Sequence, residues 1–170
     1  VWSAEQFENE IAARLKKSER ADPAKVPLPP VWPDTPAARQ ALARYYDCIA
    51  AMDQRVGAIL RELEADGLAD DTIVFFYSDH GMGMPGGKRL LHDRGMRVPL
   101  LVRFPKKWQR LAPAAPGASV DRLVSFVDFA PTVLSLAGLP APGHLQGVAF
   151  LGPAAGAPRE FVFGARDRVD

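Results

Sequence analysis

The sequence has little cysteine, little net charge and no long apolar run, and each shortage excludes a class of protein. Cys48 is the only cysteine, which excludes an internal disulfide and a cysteine-based metal cluster. The formal net charge of +1 gives no reason to expect a surface for nucleic acid or membrane. No apolar stretch approaches the roughly 20 residues that span a bilayer. Val1 leads into a charged segment without the pattern of a signal peptide, and because it is not methionine, the natural N-terminus is expected upstream.

The first half contains two segments with a helical pattern and a proline-rich segment between them. Residues 3–17 predict an amphipathic helix that begins at a Ser3 N-cap in a capping-box sequence. Residues 20–34 contain five prolines and predict an extended connector over the surface. A long helix is predicted from the Thr35 N-cap to Gly67. Its apolar residues recur at three- and four-residue steps and predict a buried stripe of Leu42, Tyr45, Ile49, Met52, Val56, Ile59, Leu60 and Leu63.

The second half alternates short apolar runs with loops. Residues 72–77 are β-branched or aromatic and predict a strand buried on both faces, as in a parallel sheet. Residues 98–104 predict a second strand, and residues 123–127 and 161–163 predict two further short ones. Asp128 is predicted to cap a helix of about ten residues that ends near Gly138. The alternation indicates an α/β fold with helices beside the sheet.

The residues that could take part in binding or catalysis follow the central strand. Ser78, Asp79, His80 and Gly81 come directly after it, and ligands of α/β sheets gather beyond the carboxyl ends of strands. A carboxylate and an imidazole at that tip suggest a bound cation. Lys88 lies nine residues on, across a Gly/Met/Pro loop, and suggests an anionic substrate. Taken alone, Asp79 and His80 fit a structural role equally well, and Lys88 fits a solvated surface lysine better.

Read together, these segments resemble the sulfatase family of the alkaline-phosphatase-like superfamily, closest to its N-sulfoglucosamine sulfohydrolase branch. The resemblance runs from about Pro33 to the end of the chain. It rests on Tyr45-Tyr46, Met52-Asp53, Val56-Gly57, Gly67-Leu68, Thr72-Ile73-Val74-Phe75, Ser78-Asp79-His80-Gly81, Lys88, Arg97-Val98-Pro99, Asp128, Pro131-Thr132-Val133-Leu134, Gly138 and Arg166-Asp167-Arg168.

The resemblance implies a fold and a set of roles. The fold would be an alkaline-phosphatase-like, mostly parallel sheet flanked by helices, present only in part. Asp79 and His80 would bind a divalent cation, which is usually Ca²⁺ in this family. Mn²⁺ and Zn²⁺ are alternatives, because one of the two ligand atoms would be nitrogen. Lys88 would hold the sulfate oxygens and offset charge on the leaving oxygen. His92 would have a substrate-side role.

One part of the family pattern is missing. Sulfatases carry a Cys/Ser-x-Pro-x-Arg motif whose Cys or Ser becomes the formylglycine nucleophile, and this sequence contains no such motif. We therefore expect formylglycine upstream, residues 1–158 to be the later part of a catalytic domain, and residues 159–170 to begin a C-terminal subdomain. The chain alone is expected to be inactive, and its unpaired sheet edges are expected to favour association.

The expected substrate is a small sulfate ester or sulfamate, with no nucleic-acid or membrane partner. A phosphonate monoester hydrolase or phosphodiesterase of the same superfamily, and a non-catalytic binding domain, remain alternatives. The sequence leaves the compartment open, with periplasmic, secreted and cytoplasmic locations all compatible.

Overall fold

The structure is a computed structural model that describes residues 3–11 and 14–166. The chain divides into two compact units, Val1–Ala69 and Asp70–Asp170. The expected boundary near residue 159 is a different division and stays a prediction. Among the described residues, no helix combines the length and the apolar character that crossing a membrane requires.

Helix α1 spans Ala4–Glu10 and begins as predicted. The Ser3 hydroxyl accepts from the Gln6 backbone N–H (3.1 Å) and the Gln6 side chain accepts from the Ser3 N–H (2.9 Å), which completes the capping box. The prediction that the helix reaches residue 17 is wrong. Lys16 has extended backbone, and its N–H donates to the Glu19 carboxylate (2.7 Å), so a separate 3₁₀ turn, Lys17–Glu19, forms instead. The predicted positions 12 and 13 lie outside the described residues.

Helix α2 spans Pro36–Ala65 and has the predicted limits. The Thr35 hydroxyl accepts from the Ala38 N–H (3.2 Å), and Gly67 follows the helix in the left-handed conformation. The prediction of a stripe buried along the whole helix is wrong. Leu42 is buried, but Ile59 is 55 % exposed.

The proline-rich connector explains this difference, because it covers only the first part of α2. Val26 packs with Leu42 and Ala43 in a small buried core, so the connector is not the surface spacer that was predicted. Polar contacts reinforce the packing. The buried Asp47 carboxylate accepts from the Ala21 N–H (2.7 Å), and Arg39 donates to the carbonyls of Pro23, Ala24 and Val26.

The second unit contains a pair of strands, β1 (Val74–Tyr77) and β2 (Leu100–Arg103), and the short helix α3 (Asp93–Met96) lies between them in the sequence. They pair antiparallel, with Tyr77 opposite Leu100, whereas the apolar run of β1 indicated a place in a parallel sheet. The 22-residue link between them returns to the end of β1 from which it left, without a crossover helix along the sheet, so an antiparallel pairing results. The side chains of β1 are half-buried or exposed, not buried on both faces.

The outer edge of β1 is unpaired among the described residues. The Ser78 N–H donates to the Pro99 carbonyl (3.3 Å) on the β2 side. Because antiparallel strands alternate their hydrogen-bonding direction, the backbone groups of Phe75 and Tyr77 point to the opposite edge. The expected association through such edges stays a prediction.

Two further predicted strands are not formed in the part of the chain that the structure describes. Leu123 makes a single bridge to Arg159, and Phe126–Asp128 forms a 3₁₀ turn. Residues 161–163 are irregular, and Phe163 is 88 % exposed. Neither segment has a neighbouring strand long enough to continue the pairing beyond the one bridge.

Helix α4 spans Phe129–Leu136, as predicted, but Asp128 does not cap it with its side chain. This carboxylate is 2 % exposed and accepts from the N–H groups of Ser125 (3.0 Å) and Val148 (2.8 Å) and from the guanidinium of Arg159 (2.8 Å to Nε). Burial alone raises the pKa of Asp128, but these hydrogen bonds and the Arg159 charge outweigh it and hold the pKa below its ordinary value. Asp128 thus joins α4 to the segment that follows it.

We expect Asp128→Asn to lower the free energy of unfolding by about 3 kcal/mol, because it leaves Arg159 without its charged partner. Since the pKa of Asp128 is lower in the folded state, its stabilisation is complete above the unfolded value of about 3.9 and is lost as the pH falls through the folded value. The free energy of unfolding, measured with denaturant from about pH 3 to about pH 7, should therefore depend less on pH in the variant. The matched control is Asp121→Asn, at an exposed carboxylate. Equal stability of both variants would contradict the role assigned to Asp128.

Candidate functional site

The candidate site begins where β1 ends, at residues 78–81. The Asp79 side chain is 83 % exposed and the His80 side chain 35 % exposed. The Ser78 hydroxyl donates to the His80 carbonyl (2.7 Å) and fixes the turn after the strand. The carboxylate and the imidazole are thus presented at the strand tip, as the sequence indicated.

The orientation of His80 leaves one ring nitrogen available. His80 Nδ1 lies 2.7 Å from the Gly81 carbonyl oxygen, which can only accept a hydrogen bond, so Nδ1 carries the hydrogen. In the neutral imidazole the lone pair then lies on Nε2, which is 3.6 Å from Asp79 Oδ1. A backbone carbonyl that fixes the tautomer in this way is typical of metal-binding histidines.

The pair fits a divalent cation in chemistry and spacing. A cation with bonds of about 2.0–2.5 Å to nitrogen and oxygen can bridge a separation of 3.6 Å. The pair is not a complete shell, because within residues 3–11 and 14–166 no group of three or more His, Cys, Asp or Glu side chains is arranged to hold a metal. Asp79 and His80 therefore offer two donor atoms to a cation, and further ligands would have to complete its shell.

The loop that follows the tip is closed by a backbone contact. The Gly81 N–H donates to the Gly95 carbonyl (2.9 Å), and the Gly81 Cα lies so close to the Arg94 carbonyl that a Cβ there would overlap it. A Cβ on Gly95 would overlap the Leu90 carbonyl in the same way. Glycine is required at both positions for this reason.

Lys88 lies on the same closed loop. Its N–H donates to the Met82 carbonyl (2.8 Å), which places its backbone beside the residue that comes two after His80. Its side chain is exposed and makes no hydrogen bond or ion pair with the described residues. The ammonium is therefore uncommitted, and its predicted anion-binding role stays a prediction.

His92 has a structural contact that the sequence analysis missed. It precedes the short helix α3 (Asp93–Met96), and its Nδ1 accepts from the Arg94 N–H (3.2 Å) as an N-cap. The opposite ring nitrogen remains available, and the substrate-side role of His92 stays a prediction. Histidine is not among the residues that favour the N-cap position, so the sequence carries no signal for this contact.

Cys48 lies inside α2 and is half-buried. Burial raises the pKa of its thiol, with a smaller effect from the Asp47 charge, so the reactive thiolate is disfavoured. Cys48 is therefore better suited to packing than to nucleophilic chemistry.

We expect Gly81→Ala to destabilise the loop by about 1–3 kcal/mol, because the added Cβ must displace the Arg94 carbonyl. Amide hydrogen exchange at Gly81 should become faster as its bond to Gly95 weakens. Gly83→Ala is the matched control, since a Cβ there meets nothing within 4 Å. Equal exchange at residue 81 in both variants would show that the close contact does not hold the loop.

Known proteins match the chain over this site and the fold around it. The family model for sulfatases matches residues 2–139. An ulvan-active sulfatase of Formosa agariphila is 42 % identical over 146 residues, covering 86 % of this chain and 24 % of the relative. The human N-sulphoglucosamine sulphohydrolase is 39 % identical over 126 residues, covering 72 % of this chain and 24 % of the relative.

A solved sulfatase structure in complex with its substrate, D-glucosamine-2-N,6-O-disulfate, matches with a TM-score of 0.60 and 28 % identity, covering 76 % of this chain and 27 % of that one. This confirms the alkaline-phosphatase-like α/β fold, present in part. The chain spans about a quarter of the length of the relatives it matches. The chain belongs to the sulfatase family.

Proposed function

We propose that this chain is the later part of a sulfatase catalytic domain that hydrolyses sulfate esters or sulfamates of small anionic sugars. One observation carries the proposal: Asp79 Oδ1 and His80 Nε2 lie 3.6 Å apart at the tip of β1. The family match supports sulfate as the group that is cleaved. The phosphonate or phosphodiester alternative and the non-catalytic alternative have no comparable support, because the matched relatives are sulfatases.

Asp79 and His80 would hold a divalent cation, with further ligands from outside this chain. Bound there, the cation would supply positive charge to the sulfate oxygens. Calcium is the family's usual ion, and the nitrogen of His80 also suits Mn²⁺ or Zn²⁺. The hydrogen bond from His80 Nδ1 to the Gly81 carbonyl would keep Nε2 aimed at the ion.

Lys88 would hold the sulfate oxygens through its ammonium and offset charge on the leaving oxygen. Its exposed side chain and its place on the closed loop support this role. His92 would contact the substrate through its ring nitrogen opposite the capping one. Neither Lys88 nor His92 forms an ion pair with the described residues that would compete with the substrate.

The nucleophile would come from a formylglycine outside this chain, because residues 1–170 contain no Cys/Ser-x-Pro-x-Arg motif. The chain alone would therefore not turn over a sulfate ester. The outer edge of β1 would pair with another strand of the same catalytic domain, and in the isolated chain it would favour association.

Activity tests this proposal most simply. A longer protein expressed from the same gene should release sulfate from a sulfated glucosamine, and the 170-residue chain should not. Lys88→Ala in the longer protein should lower kcat by about 10²–10³-fold, because an interaction with developing charge is lost. Lys106→Ala is the charge-matched control, at an exposed lysine that follows the far end of β2. Turnover by the 170-residue chain, or full activity of Lys88→Ala, would contradict the proposal.

Metal binding is tested separately from turnover. In the longer protein, Asp79→Asn should weaken Mn²⁺ affinity about tenfold or more, because a charged oxygen ligand becomes neutral. Titration calorimetry with Mn²⁺ measures the effect. Asp93→Asn, at an exposed carboxylate of the same loop, is the control and should bind as the unmodified protein does. Equal Mn²⁺ affinities for the two variants would show that Asp79 is not a ligand of the metal.

A further inference from the structure

Arg89 occupies a backbone conformation that glycine would adopt more easily. Its φ is 72°, and it is the only non-glycine residue with positive φ in the described ranges 3–11 and 14–166. A side chain in this region costs roughly 1–2 kcal/mol relative to the right-handed region. Such a residue at a functional loop indicates that its side chain, and not its backbone, is the reason for its presence.

The turn that contains Arg89 is held from both sides. The Leu90 N–H donates to the Gly87 carbonyl (3.2 Å), so Lys88 and Arg89 are the two central residues of a tight turn. The Arg89 carbonyl accepts from Arg166 Nη1 (2.5 Å), which comes from the far end of the described chain. The turn therefore has contacts that can maintain the unfavourable φ.

The guanidinium of Arg89 is free to bind a ligand. The residue is exposed, and its side chain makes no hydrogen bond or ion pair with the described residues. The loop of residues 78–97 carries four basic side chains and two acidic ones, Asp79 and Asp93, a net charge of +2. A planar guanidinium recognises a sulfate or carboxylate through two parallel hydrogen bonds, which an ammonium cannot do.

We infer that Arg89 binds a second anionic group of the substrate, a sulfate or a carboxylate, beside the sulfate that Lys88 holds for cleavage. The inference rests on the proposed function and adds a specificity residue to it. Adjacent central positions of one turn suit two anions carried by one sugar ring. The matched solved structure holds a sugar with two sulfate groups, which shows that a family member accepts such a ligand.

The test compares two substrates in the longer protein. One is glucosamine with two sulfate groups, and the other is the monosulfated sugar that keeps only the group being cleaved. Arg89→Gly should raise KM for the disulfated sugar about tenfold, as expected for a lost charge-assisted hydrogen bond. KM for the monosulfated sugar and kcat for both should change by less than about twofold. Arg89→Lys keeps the charge but cannot form two parallel hydrogen bonds, so its KM for the disulfated sugar should be intermediate.

Stability separates recognition from a structural role. Because glycine accepts a φ of 72°, Arg89→Gly should melt at the same temperature as the unmodified protein or higher. Lys106→Ala, the charge-matched control, should leave both KM values unchanged. An equal rise of KM for both sugars, or a lower melting temperature with loss of activity on both, would overturn the inference alone. Absence of turnover by the unmodified protein on either sugar would overturn the proposed function and this inference with it.

Discussion

The candidate site depends on one close backbone contact, that of Gly81 with Arg94 and Gly95. The Gly81 N–H donates to the Gly95 carbonyl at 2.9 Å, and neither glycine has room for a Cβ. This contact turns the segment after β1 back on itself. It brings Lys88, Arg89 and His92 onto the loop that starts at Asp79 and His80, and it returns the chain to pair β2 beside β1. The same backbone contact thus positions the residues of the candidate site and allows β2 to pair with β1.

Beneath the loop, β1 is supported by an aromatic cluster and by a buried ion pair. Tyr77 packs on Phe129 with ring centroids 4.8 Å apart, and Phe129 packs on Phe150 at 5.6 Å. Asp128, the residue before Phe129, accepts from Arg159 and from two backbone N–H groups. The strand that leads to Asp79 and His80 therefore rests on a helix whose own start is fixed, and this support limits the movement of the strand tip.

Local signals in the sequence predicted the local structure well. The caps at Ser3 and Thr35, the limits of α2 and the residues at the tip of β1 follow from side-chain chemistry within a few positions. Long-range pairing was less predictable. The apolar run of residues 72–77 does not reveal which strand lies beside it, and the apolar stripe of α2 does not reveal that Val26 covers only its start. The positive φ of Arg89 could not be predicted, because an arginine in this conformation has no sequence signature.

The proposed function requires that Asp79 and His80 bind the same cation. Titration of Mn²⁺ into the longer protein, isotopically labelled at its aspartate and histidine side chains and followed by NMR, measures which nuclei lie nearest the ion through their paramagnetic broadening. We expect the side-chain signals of Asp79 and the Nε2 edge of the His80 ring to broaden first and together. Broadening that begins elsewhere, or that reaches one of these two side chains without the other, would show that they do not share a cation.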